Sequence, residues 1–139
     1  EKHATIETTQ LGEANIIPFQ FRQLMYNLLS NALKFSKPNT SPYIVLVSRN
    51  IIWDKENAIN LVPGKVYSHI TFTDNGIGFE PHFSEQIFEV FQKLHDQEEY
   101  SGTGIGLAIV KKIVENHNGV ITATSELGEG ATFDIYIPV

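Results

Sequence analysis

A two-layer α+β sandwich is the fold this sequence predicts, with a mixed, mostly antiparallel sheet covered by helices on one face. Three observations predict it. Stretches of helical and of strand period are mixed without regular alternation. Neighbouring strand-like runs are joined by short turns rather than by crossover helices. The chain also closes on "VITATSE", "LGEG" and "ATFDIYIPV", which read together as a hairpin.

The elements follow in order. "ATIETTQ" is β-rich, and "IIPFQ" leads into a helix from about Pro18 to Ser36. "YIVLVSRNI" is a strand, "DKENAINLVPGK" is a polar turn region with a Pro-Gly break, and "VYSHITFTD" is the next strand. The glycine-bearing turn "DNGIGF" follows, and a shorter helix is expected over "SEQIFEVFQKL". The polar stretch "HDQEEYSGTG" reads as a lid. Beyond it, a helix from Ile105 to His117 is ended by Asn118-Gly119.

At 139 residues the chain is one domain by length, residues 1–139, able to bury roughly two-thirds of its unfolded surface. An apolar fraction of 42% with nine Phe suits a globular core. The net charge of −6 gives no electrostatic case for nucleic acid or for an anionic membrane. A phosphate ligand would have to be held by local groups against that field. Cysteine is absent, which removes disulfides, thiol nucleophiles and Cys-based zinc sites. No apolar run approaches the roughly 18 residues that a membrane span needs.

Three constellations offer chemistry. On the first helix Phe21, Leu24, Met25, Leu28, Ala32 and Phe35 form a core stripe, and Asn27, Asn31 and Lys34 lie together along its border. Two carboxamides and an ammonium there make either a solvated face or a polar wall suited to a metal-bound phosphate. In "HITFTDNGIGF", Asp74 shares parity with Ile70 and Phe72, so its carboxylate points to the core side and needs a partner. It is either a cap for its own turn or an acceptor for the exocyclic amine of a purine. Gly78, with Ile77 before it, adds weight to a base pocket, because glycine lets a flat ring approach the backbone. In "SGTGIGLAIVKKIVENHNG", Gly102, Gly104 and Gly106 expose amides ahead of a helix whose first N–H groups lack partners, a natural phosphate site. The spacing is neither a Walker A loop nor a dinucleotide fingerprint, and a flexible glycine-rich cap is the plain alternative.

The order of these pieces resembles one family: the catalytic ATP-binding domain of sensor histidine kinases. This domain shares the Bergerat-type fold with gyrase, a heat-shock chaperone and mismatch-repair ATPases. "NLLSNALKFS" resembles its N box, "DNGIGF" its G1 box, "IFEVFQKL" its F box, "GTGIGL" its G2 box and "GEGATF" a further glycine box. The match covers essentially the whole chain. The wording around "FQKLH" and "EEYSGTGIGLAIVKKIVE" is similar to kinases whose sensory parts resemble phytochromes or PAS modules.

The resemblance implies ATP and Mg²⁺. Asn31 would ligate the metal, Asn27 would support the phosphates, and Lys34 would contact one. Asp74 would accept from adenine with Ile77 and Gly78 against the ring, and Thr132 would help to read the base through water. Phe88 and Phe91 would anchor the lid, and Lys93 and His95 are candidates for the outer phosphates. Gly102, Thr103, Gly104, Ile105, Gly106 and Leu107 would wrap the phosphates.

Such a domain passes the γ-phosphoryl group to a histidine on a dimerisation domain, which hands it to a response regulator receiver domain. None of His3, His69, His82, His95 and His117 stands in that acceptor motif. The chain therefore reads as the C-terminal part of a longer, cytoplasmic sensor kinase, with membrane anchoring of the parent left open. ATP-hydrolysing relatives carry Glu where Asn27 stands, so transfer is expected over hydrolysis. The alternatives are a non-catalytic nucleotide-sensing interaction domain, or an ATPase or serine kinase of the same fold.

Overall fold

A computed structural model of the chain describes residues 5–8, 16–54, 60–89 and 106–139. Its elements are β1 (Thr5–Thr8), α1 (Pro18–Lys34), β2 (Tyr43–Ile52), β3 (Val66–Asp74), α2 (Gly106–Asn116), β4 (Val120–Ser125) and β5 (Ala131–Pro138). The five strands form one sheet in the order β1-β2-β3-β5-β4. β1 runs parallel to β2, and the other three pairings are antiparallel. The mixed sheet and the closing hairpin are as the sequence predicts.

Period decides which face is covered. Along β5 every second residue is buried, from Ala131 through Phe133 and Ile135 to Ile137. On α1 the buried residues are Leu24, Leu28 and Ala32, one turn apart, and on α2 they are Val110, Ile113 and Val114. These stripes meet the sheet in one cluster with Ile44, Ile70, Phe72 and Ile121. Truncating one such fully buried Leu or Ile to Ala costs about 2–5 kcal/mol.

The uncovered face carries the alternate residues. There His69 stacks on Tyr136 with ring centroids 4.3 Å apart, and its Nε2 meets Asp134 Oδ1 at 2.8 Å. Thr71 Oγ1 donates to the same carboxylate at 3.2 Å. Burial and the neighbouring Asp134 charge push the Tyr136 hydroxyl above the usual tyrosine range.

One expected element differs. Over "SEQIFEVFQKL" the described residues form a 3-10 turn at Gln86–Phe88, following another at Pro81–Phe83, and not an α-helix. Adjacent Ile87 and Phe88 both bury toward the core, which the tight turn permits, and Glu89 is already extended. The rest of that stretch, from Val90, lies outside the described residues.

The two helices are tied by a histidine. Pro18 opens α1 with its φ already set, and no side chain caps the preceding residue, Ile17. The Ile17 N–H instead donates to His117 Nε2 at 2.9 Å, just past the end of α2. His117 Nδ1 lies 2.8 Å from the Ile113 carbonyl, which can only accept. The ring is therefore neutral, with its proton on Nδ1. His117→Phe keeps the volume and strands the Ile17 N–H. It should lower the unfolding free energy in urea by about 1–3 kcal/mol, with faster hydrogen exchange at Ile17.

Candidate functional site

The site is built where three chain segments cross at the end of β3. Asp74 is the last residue of β3, paired with Ile44 on one side and Ala131 on the other. Its Oδ1 accepts the Gly76 N–H at 2.8 Å and the Ala131 N–H at 3.3 Å. The carboxylate thus does cap its own turn, one of the two readings the sequence left open. Burial nonetheless raises its pKa above the ordinary aspartate range, and the two N–H groups pull it only partly back. An acid held at such a cost is characteristic of functional sites.

The glycines serve a purpose the sequence reading did not assign. Gly78 has φ +71°, and a Cβ there would lie 2.3 Å from the Glu126 carbonyl oxygen. Gly130 has φ +86°, and its Cβ would lie 2.1 Å from the Asp74 carbonyl oxygen. Both positions require glycine, since the left-handed region and the close approach each exclude a side chain. The direction in which a Gly78 Cβ would point is filled by the protein's own backbone. The turn is then stapled outward: Ile77 N–H donates to the Phe35 carbonyl at 2.9 Å, and Gly128 N–H to the Ile77 carbonyl at 2.8 Å. The end of α1, one residue past Lys34, is thereby fixed against the Asp74 turn.

Along α1 a strip of carboxamides borders the buried stripe: Gln20, Gln23, Asn27 and Asn31, then Lys34. Asn27 and Asn31 are half-buried and Lys34 is exposed in the last turn. Asn27 Oδ1 accepts from Gln23 Nε2 at 3.3 Å. Asn27 Nδ2 is shut off from solvent and has no hydrogen-bond partner among the described residues. Such an orphaned donor costs about 1–3 kcal/mol and suits an anionic ligand.

α2 begins at Gly106, with no acidic residue in its first turn and open space where a Cβ would stand. Leu107 packs against the core. Phe88 is buried, edge-on to Phe133 at 6.2 Å. The expected contributions of Phe91, Lys93, His95, Gly102, Thr103, Gly104 and Ile105 lie outside the described residues.

Thr132 is the exception among the expected base contacts. It pairs with Thr73 on the uncovered face, where the two Oγ1 atoms are 3.4 Å apart. Strand parity puts Ala131, not Thr132, on the Asp74 side. An open groove of about 430 Å³ beside the β4–β5 turn is lined in part by Glu126 and Glu129, whose charges disfavour phosphate.

Two contributors escaped the sequence reading. Ser125 Oγ accepts the Phe79 N–H at 2.9 Å and donates to the Gly130 carbonyl at 2.5 Å. Asn75 holds the start of β2, accepting the Tyr43 N–H at 2.8 Å. Neither residue carries a sequence signal beyond its place, Ser125 at a strand end and Asn75 in a turn. Gln23, by contrast, falls on the same 100° projection that found Asn27.

Known proteins resemble this chain in sequence and in fold. The model of the "Histidine kinase-, DNA gyrase B-, and HSP90-like ATPase" family matches residues 17–139. The chain is 46% identical over 137 residues to cyanobacterial phytochrome A of Nostoc sp., covering 99% of this chain and 15% of that protein. It is 40% identical over 139 residues to phytochrome-like protein Cph1 of Synechocystis sp., covering 100% of this chain and 17% of that protein. The chain therefore spans under a fifth of the length of these relatives. In fold it matches a mycobacterial sensor histidine kinase, MprB, with TM-score 0.73 at 22% identity, over 98% of this chain and 82% of that one. It also matches full-length ShkA in complex with AMPPNP, with TM-score 0.67 at 24% identity, over 98% of this chain and 25% of that one.

The raised pKa of Asp74 has a signed consequence. Below the unfolded-state value both states hold the proton. As pH rises through the folded-state value, the stability contributed by the bound proton is lost. Asp74→Asn removes this titration while its carboxamide oxygen still accepts both N–H groups. In urea titrations from about pH 3 to 7, the variant should gain stability relative to wild type as pH rises, then level off. A gap that moves toward wild type with rising pH contradicts the assignment.

Proposed function

This chain belongs to the family of histidine kinase-, DNA gyrase B- and HSP90-like ATPases and has the fold of sensor histidine kinase catalytic domains, and from that premise we propose that it binds Mg²⁺-ATP and donates the γ-phosphoryl group to a histidine on a separate dimerisation domain. The single observation that carries the reading is Asp74: a buried carboxylate, raised in pKa, at the crossing of three segments. Both N–H bonds land on Oδ1, which leaves Oδ2 as the acceptor for the exocyclic amine of adenine. Ile77 and the backbone at Gly78 border that position.

The phosphates belong with the neutral amides of α1 and with the start of α2. Asn27 offers its orphaned N–H, and the first-turn N–H groups after Gly106 offer a positive helix end. Among the described residues no three His, Cys, Asp or Glu side chains gather as a metal cluster. A divalent ion would therefore take the Asn31 carboxamide oxygen and draw its remaining oxygens from phosphates and water, a pattern that suits Mg²⁺. Bound there, it would offset the charge of the phosphates.

What the chain's own residues do is position. Phosphoryl transfer asks chiefly for alignment and charge neutralisation, and Asn27, a carboxamide, cannot take a proton from water. Lys34, Lys93 and the segment from Gly102 to Leu107 complete the proposed phosphate contacts. The acceptor domain, a response regulator receiver domain downstream and a cytoplasmic site of action complete the proposal. No helix among the described residues is long and apolar enough to cross a membrane.

The test uses the 139-residue chain with labelled ATP, Mg²⁺ and a separately supplied dimerisation domain bearing the acceptor histidine. The expected result is label on that histidine, with little phosphate released in its absence. Asp74→Asn should weaken binding of an ATP analogue at least tenfold by titration calorimetry, the cost of losing about one charged hydrogen bond. Asn31→Asp should disturb Mg²⁺-ATP more than free nucleotide. Unchanged calorimetry in Asp74→Asn defeats the base assignment, and binding without transfer favours the nucleotide-sensing alternative.

A further inference from the structure

We propose that Gln23 is a positioning residue that turns Asn27 into a hydrogen-bond donor toward the phosphates of the nucleotide; this rests on the nucleotide site proposed above. A carboxamide has two unlike ends, and rotation by half a turn exchanges an acceptor for two donors. Phosphate oxygens accept, whereas a metal ion takes an oxygen. The polarity of Asn27 therefore decides which of these it can meet.

Two observations set that polarity. Gln23 Nε2, one helical turn earlier, donates to Asn27 Oδ1 at 3.3 Å, so the oxygen end of Asn27 is engaged on the exposed side of α1. The nitrogen end, Nδ2, is closed off from solvent and has no partner among the described residues. A donor stranded in this way is unfavourable in the empty protein and satisfied once an anionic oxygen arrives. With its oxygen held by Gln23, Asn27 is no metal ligand. That role falls to Asn31 alone.

The decisive variant reverses the polarity. In Gln23→Glu the side chain can only accept, so Asn27 turns to donate outward and presents its oxygen to the phosphates. The variant also adds a charge, which must be separated from positioning. The background Asn27→Ala does this, because a charge effect persists there and a positioning effect cannot.

Titration calorimetry of the 139-residue chain with AMPPNP and Mg²⁺ should show Gln23→Glu binding about tenfold weaker than wild type, the scale of one hydrogen bond to a charged oxygen. Adenosine, which lacks phosphates, should bind both equally. In Asn27→Ala the further change Gln23→Glu should make no difference. Gln23 is exposed, so the thermal midpoint should hold in each case. An equal loss in the Asn27→Ala background, or no loss at all, overturns the proposal while leaving the nucleotide site standing. Failure of wild type to bind AMPPNP overturns both.

Discussion

One carboxylate oxygen organises this protein's functional end. Asp74 Oδ1 gathers the Gly76 and Ala131 N–H groups, and so ties the turn after β3 to the first residue of β5. The arrangement closes only because the neighbouring backbones come within atomic contact, with the Asp74 carbonyl lying where a Cβ of Gly130 would be. Ser125 and the Phe35 carbonyl extend the same stapling to β4 and to α1. Glycine here is therefore less a source of freedom than a condition for close packing. The consequence for function is a rigid acid whose second oxygen is left to a ligand. The protein bears the cost of that acid as a raised pKa, a stability sacrifice of the kind functional sites accept.

Electrostatics shapes the rest. A chain of net charge −6 repels a triphosphate at long range, so attraction has to come from groups at short range. Neutral amides meet this need because they donate without adding fixed charge. The α1 strip supplies side-chain amides and the start of α2 supplies backbone ones, on the covered side of the sheet. The opposite face carries its own cluster, in which His69 and Thr71 bond Asp134 and His69 stacks on Tyr136.

How much of this was legible in the sequence follows from which signals are local. Strand and helix periods are local, so β3, the closing hairpin and the core stripe of α1 emerged nearly residue for residue. Parity carries Asp74 to the covered face and, by the same rule, sets Thr132 on the other one. Contacts between distant segments leave no local trace. Nothing about Ser125 or His117 in the chain announces the Gly130 carbonyl or the Ile17 N–H that each engages. The glycines of the turn were visible, yet their purpose was not: a missing side chain looks the same whether a ligand or a carbonyl fills its place. The segment over Gln86–Phe88 misled for a related reason. Two adjacent apolar residues fit a helical stripe on paper, and tertiary packing settled on a 3-10 turn.

The paired carboxamides on α1 also bear on why this site suits transfer rather than hydrolysis. A carboxylate in place of Asn27 could accept a proton from water, and its capacity to do so would change with pH. Gln23 and Asn27 have no such titration, so the direction of their hydrogen bond is the same across the physiological range. On the proposed function, a donor of fixed polarity would hold a phosphate oxygen and do nothing to the water beside it. The phosphoryl group would then be kept in place for an acceptor supplied by another domain, and a reaction that needs only alignment would proceed when that acceptor is aligned. On this proposal, selectivity against water would come from what the helix withholds as much as from what it offers.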